Sequence, residues 1–426
     1  MSLRGIARKG IRLNKTVMIK KVELLAPAGS RSKLNTAFHF GADACYIAGT
    51  KFGLRAYADN FDADALKSAV EFAHTLHKKV YVTVNIFPKN VDFPALKEYF
   101  VFLNSIGVDA LIMTDAGAIS LCKSVAPDME IHLSTQANTT NGYTAKFWAE
   151  QGIKRVVLAR ETTIDDIKRT KDIVGDSLEL EVFVHGAMCI SYSGRCLLSN
   201  YLSTRDSNRG ECVQACRWEY KMTEASREGE PLTMIEDDKG TYVMNSKDMN
   251  MLLYLDKLIS AGVSSFKIEG RMKSEYYVAS TVTAYRRALD GYYKTGIYSP
   301  SESLIEELEK TSHRRYTTGF YFGARDTVCS DTSKPESDWL FIAEVKGYDE
   351  SKKCIILEQR GRFKKGDVLE VLSPDENYLK KIVVDEVFDE DGNIIDDCKF
   401  VQQILYLKSD VVLHNHDVLR MKRKDL

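Results

Sequence analysis

From Met18 onward the chain alternates short runs of β-branched and aromatic residues with longer stretches whose apolar positions recur every three or four residues. These are the two periods of strand and helix. The short runs predict strands over 22–26, 44–48, 80–85, 110–114, 131–134, 155–159, 180–185 and 265–269, with helices such as 31–40, 63–77, 94–105 and 274–292 between or after them. Strand-helix units repeated this often describe either a doubly wound open sheet or a barrel. The first strand is not followed by G-x-G-x-x-G, and G-x-x-x-x-G-K-[ST] is absent from the chain. The expected fold is therefore α/β: a complete or distorted (β/α)8 TIM-like barrel over 18–310.

One segment breaks the rhythm. Residues 186–240 are rich in Ser, Asn, Arg and Gly and fall between the seventh and eighth strands, so they read as an insertion at a strand's C-terminal end. Loops at that end are free to vary without disturbing the core, and they carry the active sites of such barrels. Beyond a stretch without periodicity at 311–334, expected as a linker, the pattern turns to strands at 339–345, 354–358, 367–372, 382–388 and 411–421, with turn signals at Lys346-Gly347, Lys365-Gly366-Asp367 and Asp391-Gly392. A small C-terminal β-barrel domain over 335–426 is the economical fold for them. Residues 1–17, which hold Arg4, Arg8, Lys9, Arg12 and Lys15 and no acid, read as a basic and disordered extension.

Composition narrows the partners. The chain has 59 basic against 60 acidic side chains, so a nucleic-acid partner has to be gripped by a local patch. No apolar run approaches the roughly eighteen residues of a membrane span, and the start lacks a secretory signal pattern, which points to a cytoplasmic protein with no membrane partner. Nine cysteines in 426 residues are too few for a disulfide framework. Yet four of them, Cys189, Cys196, Cys212 and Cys216, stand together inside the insertion, with six, fifteen and three residues between successive sulfurs. Clustered thiols in a reduced chain usually hold a soft metal ion or an iron-sulfur cluster. Structural zinc sites favour two C-x(2–4)-C pairs, and the six-residue first gap leans toward a larger centre without deciding the matter.

The stretch Glu181-Val-Phe183-Val-His185-Gly186-Ala187-Met188-Cys189, continued by Gly194-Arg195-Cys196 and Ser199, closely resembles the signature of the collagenase-like peptidase family. Glu23 to Gly29, Leu158-Ala-Arg160-Glu161, Asn245-Ser-Lys247-Asp248 and Phe266-Lys267-Ile-Glu269-Gly270-Arg271 support the resemblance, which spans most of 22–290. Despite that name, members with this layout are similar to oxygen-independent hydroxylation proteins. The resemblance implies an enzyme making 5-hydroxyuridine at the tRNA wobble position, with prephenate as hydroxyl donor and a 4Fe-4S cluster on the four cysteines. It also implies the tRNA anticodon region as partner and leaves room for a homo-oligomer or a paired family paralogue. Sister proteins act on ribosomal RNA or ubiquinone precursors.

Read from the residues alone, peptidase machinery is thin: neither H-E-x-x-H nor G-x-S-x-G occurs. A peptidase of unknown catalytic class, and a non-catalytic zinc-containing RNA-binding or assembly factor, remain the alternatives. At the strand ends, His185, Glu161, Lys267 and Glu269 are the expected catalytic residues, His185 as a proton shuttle near neutral pH. Arg160 and Arg271 are expected to fork onto the donor's carboxylates, with Asn85 and Gln136 beside them. A phosphate grip is expected from Arg360, Arg362, Lys364, Lys365, Lys380, Lys381, Arg420, Lys422, Arg423 and Lys424.

Overall fold

The computed structural model describes residues 21–54, 59–189, 191–218, 236–237, 240–241, 246–323 and 337–423. The basic extension, Lys424 and Cys329 lie outside the described residues. Eight parallel strands, β1 (Glu23–Pro27), β2 (Ala44–Ile47), β3 (Lys79–Val84), β4 (Ala110–Met113), β5 (Ile131–Leu133), β6 (Arg155–Val157), β7 (Glu179–Ala187) and β8 (Ser265–Ile268), pair in sequence order. The barrel closes because β8 pairs with both β7 and β1. Helices α1 (Arg31–His39), α2 (Ala63–Thr75), α3 (Phe93–Ser105), α4 (Ala116–Val125), α5 (Gly142–Glu150) and α6 (Ile164–Val174) fill the first six crossovers. Most start on a side-chain cap: Ser30, Asp62, Asp115, Asn141 and Thr163 each accept a backbone N–H of the first turn, while α3 uses a proline there.

Period-two alternation sorts the strand residues between two cores. Cys45, Ile47, Val80, Val82, Leu111 and Met113 face the helices, whereas Ala44, Tyr46, Tyr81, Ala110 and Ile112 pack together inside the barrel. The inner face of β6 to β8 is charged instead, with Arg155, Glu181 and Lys267 all buried.

The stretch expected as a linker is, in its described part, built into the barrel. Tyr316–Thr317 pairs with a short strand, Asp248–Asn250, that runs antiparallel to the end of β7, and the Tyr321 hydroxyl donates to the Phe183 carbonyl at 2.5 Å. These aromatics carry no helical or strand period because they cover a sheet edge rather than extend an element.

Residues 339–422 form an antiparallel half-barrel of seven strands around a separate core, including Ile342, Val345, Leu357, Leu369, Val371, Leu405 and Leu419. The sequence reading missed the strand Ile404–Lys408 and ran Lys381–Val383 and Val387–Phe388 into one. It also began the last strand too early, since pairing starts at Val418.

A buried ionic seam joins the two halves. Arg420, expected on an RNA-facing patch, is fully buried, so that assignment is corrected. Its guanidinium donates to Glu307 of helix α10 (Glu302–Glu309; the intervening α7, α8 and α9 are Leu198–Ser203, Leu255–Ser260 and Glu275–Thr295) and to Glu370 at 2.7 Å. Lys310 reaches Glu370 at 2.6 Å, and the Tyr378 hydroxyl donates to Glu307 at 3.1 Å. His39 meets Asp417 at 2.8 Å across the same boundary. Truncating one member of such a seam strands buried charge. Arg420→Ala is therefore expected to cost about 3–5 kcal/mol, read in urea unfolding as a lowered midpoint, whereas Arg362→Ala, at an exposed pair with Asp397, leaves the midpoint essentially where it is.

Candidate active site at the barrel mouth

The C-terminal ends of the strands open into a cavity of about 140 Å3. Tyr46, Thr83, Ile112, Phe183 and Lys267 line it from inside the barrel, and Asn85, Gln136, Arg160, Glu269 and Arg271 line it from the strand ends. The loop after β7 completes it with Tyr192, Ser193, Gly194 and all four clustered thiols, Cys189, Cys196, Cys212 and Cys216. None of those four cysteines is in a disulfide, and the buried Cys45, Cys122, Cys354 and Cys398 do not line the cavity.

Below the cavity lies the barrel's charged layer. Glu181 is fully buried, accepting from Lys267 Nζ at 2.8 Å and from Arg155 Nη1 at 3.2 Å. Arg155 also pairs with Glu23 at 2.5 Å and Glu179 at 2.7 Å, and Glu23 accepts from Tyr81 at 2.6 Å and Ser265 at 2.9 Å. Burial alone would push the Glu181 carboxyl up. Lys267 and then Arg155 outweigh it and hold it below the ordinary carboxylate range, so it stays ionised. The Lys267 ammonium, so anchored, lies 4.5 Å from the centre of the Tyr46 ring.

Above this layer, Arg160 lies over the Phe183 ring at 4.0 Å and reaches Glu269 at 3.5 Å, bridging β6 to β8. Arg271 donates to Thr83 Oγ1 at 3.3 Å and to the Leu54 carbonyl. Asn85 Oδ1 accepts from Leu54 N at 3.1 Å, and its amide reaches Ser134 Oγ at 3.5 Å. Three cations and one carboxylate thus face a common space, an arrangement suited to a small anion with carboxylate groups.

The thiol loop is fastened at several points. Glu161 accepts from Ser193 N at 3.1 Å and Oγ at 3.4 Å. Arg209 forks onto Asp92 at 2.8 and 3.4 Å, and Phe87 N donates to the Asn208 carbonyl at 3.1 Å. Gly194 has φ +74°, and a Cβ there would stand 2.0 Å from the Gln136 carbonyl oxygen, so only glycine allows this approach. The Cys196 carbonyl accepts from Ser207 Oγ at 2.7 Å and Asn208 Nδ2 at 3.0 Å. Cys212 Sγ accepts from Gln214 N at 3.4 Å and Ser199 Oγ at 3.8 Å, the kind of hydrogen bonding that supports a metal-bound thiolate. Among the described residues, no three His, Cys, Asp or Glu side chains converge closely enough to hold one metal ion. The four thiols line a common cavity without meeting at a point.

Two expected catalytic residues are corrected by their placement. His185 does not line the cavity: it is buried among Tyr277, Tyr285 and Tyr316, with ring centroids at 5.5–5.9 Å, and its Nδ1 lies 3.3 Å from the Tyr285 hydroxyl. Burial, with His313 and Lys273 nearby, lowers its pKa to about 3, which removes it as a proton shuttle near neutrality. Glu161 is turned toward Ser193 and fastens the loop instead of lining the cavity. Lys267, Glu269, Arg160, Arg271, Asn85 and Gln136 do line it. The sequence reading missed Glu181, Arg155, Tyr192 and Ser193. The signal for Glu181 was present, because it shares the inward period of β7 with Phe183.

This site defines a (β/α)8 protein whose mouth is covered by a four-thiol loop and whose C-terminal half-barrel is locked to the barrel wall. The family model described as Peptidase family U32 matches residues 29–329, and that of the Peptidase family U32 C-terminal domain matches 337–420. The chain belongs to peptidase family U32. It is 40% identical over 411 residues to a Bacillus subtilis (strain 168) protein named tRNA hydroxylation protein P1, covering 95% of this chain and 96% of that one. It is 34% identical over 343 residues to the Escherichia coli (strain K12) 23S rRNA 5-hydroxycytidine C2501 synthase, covering 78% of this chain and 50% of that one. The solved structure of the U32 peptidase Mk0906 is 12% identical with a TM-score of 0.40, covering 62% of this chain and 98% of that one.

Lys267→Met is expected to cost about 3–5 kcal/mol, because it leaves Glu181 buried with less cationic support. Since the folded carboxyl is held down, its contribution is full above the unfolded value near pH 4.3 and is lost as pH falls below it. Denaturant melts across pH 3–7 check both: the wild-type acid loss shrinks in the variant.

Proposed function

We propose that this protein is an RNA-modifying enzyme that installs a hydroxyl on carbon 5 of the wobble uridine of tRNA without oxygen, drawing the hydroxyl from prephenate. The observation that carries this reading is the 40% identity to tRNA hydroxylation protein P1 across 95% of the chain. The cavity agrees in its chemistry. Arg160, Lys267 and Arg271 face it together and suit a dicarboxylate donor, while Asn85 and Gln136 offer neutral hydrogen-bonding groups to a base edge. An anticodon loop already presents unpaired bases, so little energy is needed to bring one to the mouth.

Cys189, Cys196, Cys212 and Cys216 are the residues that would hold a 4Fe-4S cluster. Four thiols lining one cavity, with hydrogen bonds to the Cys212 sulfur, supply the donor set such a group needs. When bound, the cluster supplies electron-transfer or Lewis-acid chemistry beside the substrate. The chain's own part is to seat the donor's carboxylates on Arg160 and Arg271, to fix Lys267 through Glu181, and to cover the mouth with the loop fastened by Glu161 and Arg209.

Deleting the gene is expected to abolish 5-hydroxyuridine in bulk tRNA measured by mass spectrometry, and an undiminished signal in a strain without a second family member defeats the proposal. Protein purified anaerobically should carry iron and stoichiometric acid-labile sulfide, both lost in Cys196→Ser. Stoichiometric zinc without sulfide would favour the assembly-factor alternative. Arg160→Gln is expected to raise the half-saturating prephenate concentration by roughly 10- to 100-fold, the worth of one charged hydrogen-bonding fork. An unchanged value removes Arg160 from that role.

A further inference from the structure

The thiol loop that covers the mouth exposes three aromatic rings, one of them at the cavity itself. Tyr201 is 83% exposed, Tyr192 59% and Trp218 47%. Tyr192 itself lines the cavity. Trp218 follows the lining residue Cys216 by two positions, at most about 7 Å of chain. Tyr201 stands on α7, between the lining residues Cys196 and Ser207. Between the rings stand the small polar residues Ser193, Asn200, Ser203 and Thr204, the exposed Arg195 and Arg205, and two exposed leucines, Leu197 and Leu202. Over 188–218 four arginines stand against two acids, Asp206 and Glu211.

Flat rings alternating with cations are what an unpaired nucleic-acid strand needs: each base presents a face to stack on, and each phosphate a charge to neutralise. Leu197 and Leu202 would also suit a protein partner, but such a patch is depleted of charge at its centre, whereas here Arg195 and Arg205 stand among the rings. We propose that Tyr192, Tyr201 and Trp218 form a stacking platform for the unpaired RNA bases that flank the nucleotide entering the cavity, with Arg195 and Arg205 on the phosphates. The inference rests on the reading that RNA is the substrate and adds the residues that grip it.

The test uses full-length, anaerobically purified protein and fluorescence anisotropy with an anticodon stem-loop oligonucleotide, compared with the same strand annealed to its complement. Tyr201→Ala and Trp218→Ala are each expected to weaken loop binding by roughly 5- to 100-fold while duplex binding stays put. Tyr201→Phe keeps wild-type affinity, because it keeps the ring. Arg195→Ala reduces the salt slope of binding by about one. Iron content and melting midpoint measured alongside report that the loop is intact. Wild-type affinity in both alanine variants, or an equal loss on duplex, overturns the platform and leaves the function standing. Failure of the wild-type protein to bind the loop overturns both. Loss of self-association with RNA affinity unchanged makes the rim a protein contact and likewise defeats the proposal.

Discussion

A carboxylate without access to water sits in the middle of the barrel, and the geometry of the mouth depends on how it is compensated. Glu181 is tolerable only because Lys267 and Arg155 approach it from neighbouring strands, and Arg155 is in turn shared with Glu23 and Glu179. The apolar half of the interior, built by β2 to β4, needs no such device. This layer fixes the height and direction of the Lys267 ammonium under the cavity, so the site's electrostatics are set from below, chiefly by the buried Glu181 and Arg155.

The mouth is assembled by contacts between loops that are distant in sequence. Glu161 on the loop after β6, Asp92 ahead of α3 and the Gln136 carbonyl after β5 all receive parts of the thiol loop. Each tie lies near a cavity-lining group, so the position of the sulfurs and the shape of the anion-binding wall are coupled. A change at Gly194 would displace the backbone between Cys189 and Cys196 before it altered any side chain.

Much of this was legible in the chain. The eight strands, the insertion and the helices with clear apolar spacing were readable because alternation and helical period report burial directly, and Ser, Asp, Asn and Thr caps mark the helix starts. What escaped was decided by partners far away in sequence. His185 looks like a catalytic histidine until Tyr277, Tyr285 and Tyr316 are folded over it. Arg420 looks like a phosphate ligand until Glu307 and Glu370 enclose it. Glu161 belongs to the family signature as a strand-end acid, yet its carboxylate is spent on Ser193. In the C-terminal half, the two-residue strand Val387–Phe388 carries too few alternations to be separated from its neighbours by pattern alone.

The seam around Arg420 limits how the molecule can move. Any hinge opening between barrel and half-barrel would pull Arg420 away from Glu307 and Lys310 away from Glu370, in a place where the Arg420 guanidinium does not meet solvent. The two halves therefore behave as one rigid jig, and a large flexible ligand that touches both has to do the bending itself.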